Sequence, residues 1–113
     1  MTYRRTLAIT FVAGLLASAA FAITPEPGDV ERGHEFAKDN CATCHAVEKT
    51  GASPYAPAPP FRTLHEKYDV EGLAEALAEG IVVGHDGPRP MPEFVLEPDE
   101  IDDLLAYLKS LEK

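Results

Sequence analysis

The sequence is poor in sulfur and lacks the patterns of several common fold classes. Its 113 residues include two cysteines and two methionines. There is no internal repeat and no alternation of apolar and polar residues that would indicate a β-strand. The apolar run at 7–22 has 16 residues, whereas a membrane-spanning helix needs roughly 20. These absences favour a small all-α domain.

The amino terminus has the pattern of a bacterial export signal. A short basic start with Arg4 and Arg5 precedes the apolar run, which ends in an Ala-Phe-Ala cleavage pattern. The pattern predicts a signal peptide at 1–22, a single mature domain at 23–113 and a periplasmic location, with no stable membrane insertion after cleavage. The alternative is an uncleaved signal that stays in the membrane as an anchor.

Both cysteines lie in the pentapeptide Cys41-Ala42-Thr43-Cys44-His45, which has the C-x-x-C-H pattern. At this spacing the two thiols can reach the two vinyl groups of a porphyrin, and the adjacent histidine can coordinate the iron. The pattern therefore predicts one covalent haem c, attached through Cys41 and Cys44, with His45 as an axial ligand.

Three other uses of a C-x-x-C pair are the alternatives. A structural zinc site usually has four ligands, and the sequence has no second C-x-x-C and no H-x₃-H pattern. A thioredoxin-like redox pair is expected in a βαβ unit, which the sequence does not indicate. A disulfide can form in an exported chain, but the histidine directly after the second cysteine favours haem.

Met91 is the main candidate for a second axial ligand. It is the only methionine besides the initiator, and Pro90 and Pro92 restrict the loop on either side of it. A thioether ligand raises the reduction potential because it favours ferrous iron. The alternatives are His85, which would give a bis-histidine haem of lower potential, and a five-coordinate iron. The remaining histidines, His34 and His65, are predicted to lie at the surface.

The proline-rich stretch 51–60 is predicted to be an extended loop, because its four prolines exclude a helix or a central strand. A carbonyl oxygen of Pro59 or Pro60 would be placed to accept a hydrogen bond from the His45 ring and so orient it. The alternative is a loop without this role. Apolar residues that follow are expected to cover the haem: Phe61, Leu64, Leu73 and Leu77.

Capping residues and apolar periodicity predict the helices. The first begins after Asp29 and runs toward Cys41. Its small Gly33 would allow another helix to cross closely. Four of its residues are predicted to share one face: Val30, Gly33, Phe36 and Ala37.

Two further helices are predicted. One covers 70–79, with Asp69 as its cap and Gly80 as its stop. The other begins at Pro98, and acidic residues favour its first turn. Its apolar stripe consists of Ile101, Leu104, Leu105, Leu108 and Leu111.

The predicted mature domain is strongly acidic. All 19 acidic residues lie beyond residue 22, together with eight of the ten basic residues, which gives a net charge of −11. This charge disfavours nucleic acid and anionic lipid as partners. It favours redox proteins, a donor and an acceptor, that have basic or neutral docking faces. The alternative is a well-solvated surface without a docking role.

These features predict a one-electron carrier and no enzymatic activity, because no nucleophile or general-base constellation is recognisable. One alternative is the haem redox subunit of a periplasmic dehydrogenase or another complex. A second alternative is a five-coordinate haem protein that binds ligands or reacts with peroxide.

The chain resembles the class I cytochromes c over nearly all of its predicted mature length. The resemblance rests on Gly33 and an aromatic residue before the C-x-x-C-H pattern, the proline-rich loop, Met91-Pro92 and a final helix that contains Tyr107. It implies an all-α fold of three to five helices with proline-rich loops around one haem. It also implies a crossing of the first and last helices near Gly33 and Tyr107, and axial ligation by His45 and Met91.

Overall fold

The computed structural model describes residues 26–80 and 89–113. The signal peptide predicted at 1–22 and the alternative ligand His85 lie outside these ranges. The described residues form helices and loops without a β-strand, which confirms the all-α prediction. The α-helices are α1 (Val30–Asn40), α2 (Leu73–Glu79) and α3 (Pro98–Ser110), and two 3-10 helices cover Phe61–Glu66 and Val70–Gly72.

Helix α1 begins where its capping residue predicts. The Asp29 carboxylate accepts a 2.9 Å hydrogen bond from the main-chain N–H of Arg32, which satisfies a donor at the start of the helix. Gly33 and Ala37 are buried, but Val30 is 45% exposed. The predicted face is therefore buried at Gly33 and Ala37 and open to solvent at Val30.

Helices α1 and α3 cross at Gly33, as expected. A Cβ atom at this position would lie 2.0 Å from the carbonyl oxygen of Asp103 and 2.9 Å from the Cβ atom of Tyr107. Only a residue without a side chain allows the two backbones to approach this closely. The crossing brings the helix before Cys41 against the centre of α3.

A buried carboxylate fastens the same pair of helices. Asp103 is 8% exposed and accepts hydrogen bonds from the Asp29 main-chain N–H at 2.6 Å and from Arg32 Nε at 2.7 Å. The side-chain hydrogen bond from Arg32, followed by the main-chain bond from Asp29, holds the pKa of Asp103 below its ordinary value. The start of α1 is thus attached to the first half of α3.

The helix predicted at 70–79 is divided into two parts. Asp69 caps the 3-10 helix Val70–Gly72 by accepting a 3.2 Å hydrogen bond from the Glu71 N–H, and α2 follows directly. Gly72 lies at the division, where glycine weakens a continuous α-helix. Gly80 ends α2 with a φ of 101°, which confirms its predicted role as the stop.

Helix α3 has the start and the buried stripe that its sequence predicts. Pro98 is its first residue, and the Glu100 carboxylate accepts a 2.9 Å hydrogen bond from the Glu97 N–H as part of a capping box. All five residues of the predicted stripe are buried: Ile101, Leu104, Leu105, Leu108 and Leu111. In the described ranges, we find no helix of the length and apolarity that crossing a membrane requires.

Candidate haem site

The C-x-x-C-H segment forms a tight turn at the end of α1. The main-chain N–H groups of His45 and Cys44 donate to the carbonyl oxygen of Cys41 at 2.9 and 3.2 Å. Both cysteines are half-buried, and no disulfide joins them. Burial raises the pKa of the Cys41 thiol to about 11. A thioether at this position would remove that ionisation, because it has no proton to lose.

The His45 ring is buried and oriented by the proline-rich loop. Its Nδ1 lies 2.7 Å from the carbonyl oxygen of Pro59. Because a carbonyl oxygen can only accept, Nδ1 carries the hydrogen in this contact, and Nε2 is then the nitrogen with the lone pair that a metal needs. The Pro60 carbonyl instead accepts from the N–H and hydroxyl of Thr63, at 3.1 and 2.9 Å. Of the two candidates, Pro59 is therefore the one placed against the imidazole.

Main-chain hydrogen bonds hold this loop against the turn. The N–H of Phe61 donates to the carbonyl oxygen of Ala46 at 2.9 Å, and the N–H of Tyr55 donates to that of Cys44 at 3.1 Å. The Phe61 ring packs on the His45 ring, with their centroids 5.0 Å apart. The predicted extended loop is thus packed directly beside the His45 ring.

A cavity lies between this loop and the helices. Cys41, His45 and Met91 all line it, so the structure brings together residues up to 50 positions apart in the sequence. Most of the other lining residues are apolar, and they include the four predicted to cover the haem: Phe61, Leu64, Leu73 and Leu77. An apolar enclosure of this kind disfavours the additional charge of ferric iron.

Met91 belongs to the non-helical segment 89–97, the Met91 segment, which leads into α3. The segment is attached to α2 where the Leu96 N–H donates to the carbonyl oxygen of Leu77 at 2.9 Å. Met91 is half-buried and also lines a neighbouring cavity together with Cys44 and Tyr55. The predicted sixth ligand therefore lies in the same enclosure as the histidine.

The donor set fits a covalent haem. Cys41, Cys44, His45 and Met91 all line the neighbouring cavity. Two thiols, an imidazole with a fixed Nδ1 hydrogen and a thioether thus border one space, and this is the set of groups that c-type haem uses. Within residues 26–80 and 89–113, no cluster of three or more His, Cys, Asp or Glu residues is arranged to hold a metal ion. The described part of the chain thus offers no ligand set for the zinc alternative.

The two remaining histidines differ from each other. His65 is exposed, as predicted. His34 is half-buried, because its Nε2 lies 2.8 Å from Glu48 Oε1 and its ring stacks on that of Tyr107 with centroids 4.7 Å apart. Tyr55 was not predicted as a site residue, and the only sequence signal for it is an aromatic residue inside the proline-rich loop.

Comparison with known proteins agrees with the fold and with a covalent haem. The family model for cytochrome c matches residues 30–112. The chain is 33% identical over 97 residues to cytochrome c-552 of Bradyrhizobium diazoefficiens, across 86% of this chain and 88% of that protein. It is 30% identical over 84 residues to the cytochrome c-553-like protein of Synechocystis, across 74% of this chain and 70% of that protein.

A third similarity is to part of a longer protein. The chain is 30% identical over 88 residues to the cytochrome bc1 complex cytochrome c subunit of Corynebacterium diphtheriae, and the match covers 28% of that subunit. Helical domain, donor set and relatives together define a class I monohaem c-type cytochrome. The chain belongs to the cytochrome c family, with a covalently bound haem c and a role in electron transport.

Proposed function

We propose that this protein is an exported one-electron carrier whose haem is attached through Cys41 and Cys44 and whose iron is bound by His45 and Met91. The observation that carries the proposal is that Cys41, His45 and Met91 line one apolar cavity. When bound, the haem would supply an iron that accepts and releases one electron between its ferric and ferrous states.

The protein's own residues would keep this exchange simple. The Pro59 carbonyl accepts the Nδ1 hydrogen of His45, which fixes the ring plane and strengthens the imidazole as a donor. Pro90 and Pro92 restrict the main chain next to Met91, so less conformational freedom is lost when its sulfur is held in place. With both axial positions filled, no position would be open for a substrate, which supports a carrier without enzymatic activity.

The signal pattern and the net charge support a proposed location and proposed partners. The signal pattern at 1–22 supports export to the periplasm, where covalent haem attachment would precede function. The net charge of −11 beyond residue 22 supports donor and acceptor proteins with basic or neutral faces, and it disfavours nucleic acid.

A redox titration of the purified holoprotein with optical spectra would test this proposal. The ferric protein is expected to be low-spin and to show a methionine–iron charge-transfer band. Met91→Ala should abolish the band and sharply lower the reduction potential, because the thioether favours ferrous iron. Val95→Ala is the matched control, since Val95 lies in the same segment but is 66% exposed.

A high-spin ferric spectrum without the band would contradict His/Met ligation and favour the five-coordinate alternative. A low-spin spectrum that Met91→Ala leaves unchanged would favour another ligand such as His85. Purification without covalent haem, after expression with haem-maturation machinery, would contradict the proposed attachment.

The similarity to a cytochrome c subunit of a bc1 complex supports a second candidate function, that of a redox subunit held in a larger complex. Size-exclusion chromatography of the protein from its native source separates the two candidates. A free carrier elutes at the size of the single chain, whereas a subunit elutes with an enzyme.

A further inference from the structure

Tyr55 contacts both segments that the proposed site must keep together. Its main-chain N–H donates to the carbonyl oxygen of Cys44 at 3.1 Å, so its backbone is attached to the C-x-x-C-H turn. Its hydroxyl accepts a 3.1 Å hydrogen bond from the main-chain N–H of Arg89, two residues before Met91. One residue therefore bridges the haem-attachment turn and the Met91 segment.

The Arg89 side chain adds a second contact to the same residue. Its guanidinium carbon lies 5.8 Å from the centroid of the Tyr55 ring, within the range of a cation–π interaction. Tyr55 is half-buried and Arg89 is exposed, so the aromatic ring forms the fixed side of the contact. The Tyr55 hydroxyl thus bonds the main chain of Arg89, and the Tyr55 ring face contacts the side chain of the same residue.

The Met91 segment needs such an anchor. Pro90 and Pro92 have no N–H group and cannot donate hydrogen bonds. Main-chain donors attach the segment to other described residues at Arg89, which bonds Tyr55, and at Leu96, which bonds Leu77. Between these points Val95 is 66% exposed, and segments with exposed residues and few hydrogen bonds open readily. The Tyr55 contact is the anchor nearer in sequence to Met91.

We propose that Tyr55 is a positioning residue that keeps Met91 on the iron by fixing the main chain at Arg89. The inference rests on the proposed His45/Met91 ligation. In this proposal, Tyr55 controls the fraction of molecules in which Met91 is detached from the iron. It does not determine which residue is the ligand.

Imidazole measures this opening, because it binds ferric iron only after Met91 has left. Its apparent affinity scales with the fraction of molecules in which Met91 is detached. Removing one hydrogen bond from the anchor should raise that fraction roughly 2- to 10-fold. The Tyr55→Phe holoprotein should therefore bind imidazole about 2- to 10-fold more tightly than the wild type.

Tyr107→Phe is the matched control. It also removes a tyrosine hydroxyl that bonds the main chain, but Tyr107 bonds Val47 and lines neither of the cavities that Met91 lines. This variant should lose stability toward unfolding with its imidazole affinity unchanged. Equal imidazole affinities for the wild type and Tyr55→Phe, or an equal rise in both variants, would overturn the proposal.

Amide hydrogen exchange in the wild-type holoprotein gives a test that needs no variant. The Arg89 amide should be protected in the native ferric protein and lose protection when imidazole saturates the iron. An Arg89 amide that exchanges freely in the native protein would overturn the role of Tyr55. The wild-type spectrum is recorded first. If the methionine–iron band is absent, the proposed ligation by Met91 is refuted. If the band is present and Tyr55→Phe leaves the imidazole affinity unchanged, only the proposed role of Tyr55 is refuted.

Discussion

The hydroxyl of Tyr107 donates a 2.6 Å hydrogen bond to the carbonyl oxygen of Val47, two residues after His45. Tyr107 is 6% exposed, and the His34 ring stacks on it. Burial, and to a lesser extent the nearby Glu48 carboxylate, raises the pKa of the Tyr107 phenol, so the hydroxyl remains a donor. Helix α3 therefore holds two parts of the chain in place: helix α1 and the segment that follows the haem-attachment turn.

Replacing Tyr107 by phenylalanine should destabilise the holoprotein by about 1 to 3 kcal/mol, because the variant leaves the buried Val47 carbonyl without its donor. Denaturant unfolding measures the change. Tyr68→Phe, at a tyrosine that is 47% exposed, should stay within about 0.5 kcal/mol of the wild type. Equal stability of the two variants would mean that the Tyr107 hydrogen bond adds nothing to the fold.

Gly33→Ala should disrupt the crossing of α1 and α3. The new methyl group would overlap the Asp103 carbonyl oxygen, 2.0 Å away, so one helix must move. We expect a loss of at least about 1 to 3 kcal/mol in the free energy of unfolding. Gly72→Ala is the control, because its nearest neighbour is an Asp69 carbon at 3.9 Å. A Gly33→Ala protein as stable as Gly72→Ala would contradict the close crossing.

Asp103→Asn should reduce stability in a pH-dependent way. The folded-state pKa of Asp103 is lowered by Arg32 and by the Asp29 N–H. Its contribution is therefore complete above the unfolded value of about 3.9 and is lost as the pH falls through the folded value. The stability difference between wild type and variant should be full at neutral pH and shrink below about pH 4.

Denaturant unfolding of the holoproteins across this pH range measures the Asp103 effect. Asp102→Asn is the control, since Asp102 is the exposed neighbour on the same helix. A difference between wild type and Asp103→Asn that is constant at all pH values would show that the carboxylate charge is not the source of the stability.

Leu77→Ala should affect both the stability and the potential. Leu77 is 5% exposed and lines the cavity, so its truncation should cost about 2 to 5 kcal/mol and admit water near the iron. Water stabilises ferric iron, so the reduction potential should fall. Leu111 is 6% exposed but does not line this cavity. Leu111→Ala should therefore destabilise the protein without a change in potential, and equal shifts in both variants would refute the burial argument.

Local chemistry made much of this protein predictable. Asp29 and Pro98 start their helices through contacts within one turn, and Gly80 ends its helix through its own backbone freedom. The cysteines, His45 and Met91 could be selected because few residue types bind iron or form thioethers. Each of these signals lies within a few residues of the feature that it specifies.

Contacts between distant segments were not predictable in the same way. The 3-10 helix at Phe61–Glu66 and the choice of Pro59 over Pro60 depend on where the loop rests against the C-x-x-C-H turn. His34 was expected at the surface because a single histidine looks the same in sequence whether it is solvated or stacked on an aromatic ring. The Arg32–Asp103 contact spans 71 residues, and no local pattern marks it.

The acceptor for the His45 ring is a main-chain oxygen, and every amino acid carries one. Evolutionary drift in side-chain identity at position 59 can therefore proceed without deleting the acceptor, as long as the loop keeps its course. If the side chain of a serine or aspartate accepted this hydrogen bond instead, a single codon change could remove the acceptor. The path of the loop backbone, and not the identity of a side chain, therefore sets the orientation of the His45 ring. Insertions or deletions in the loop are the changes that would disturb this orientation most.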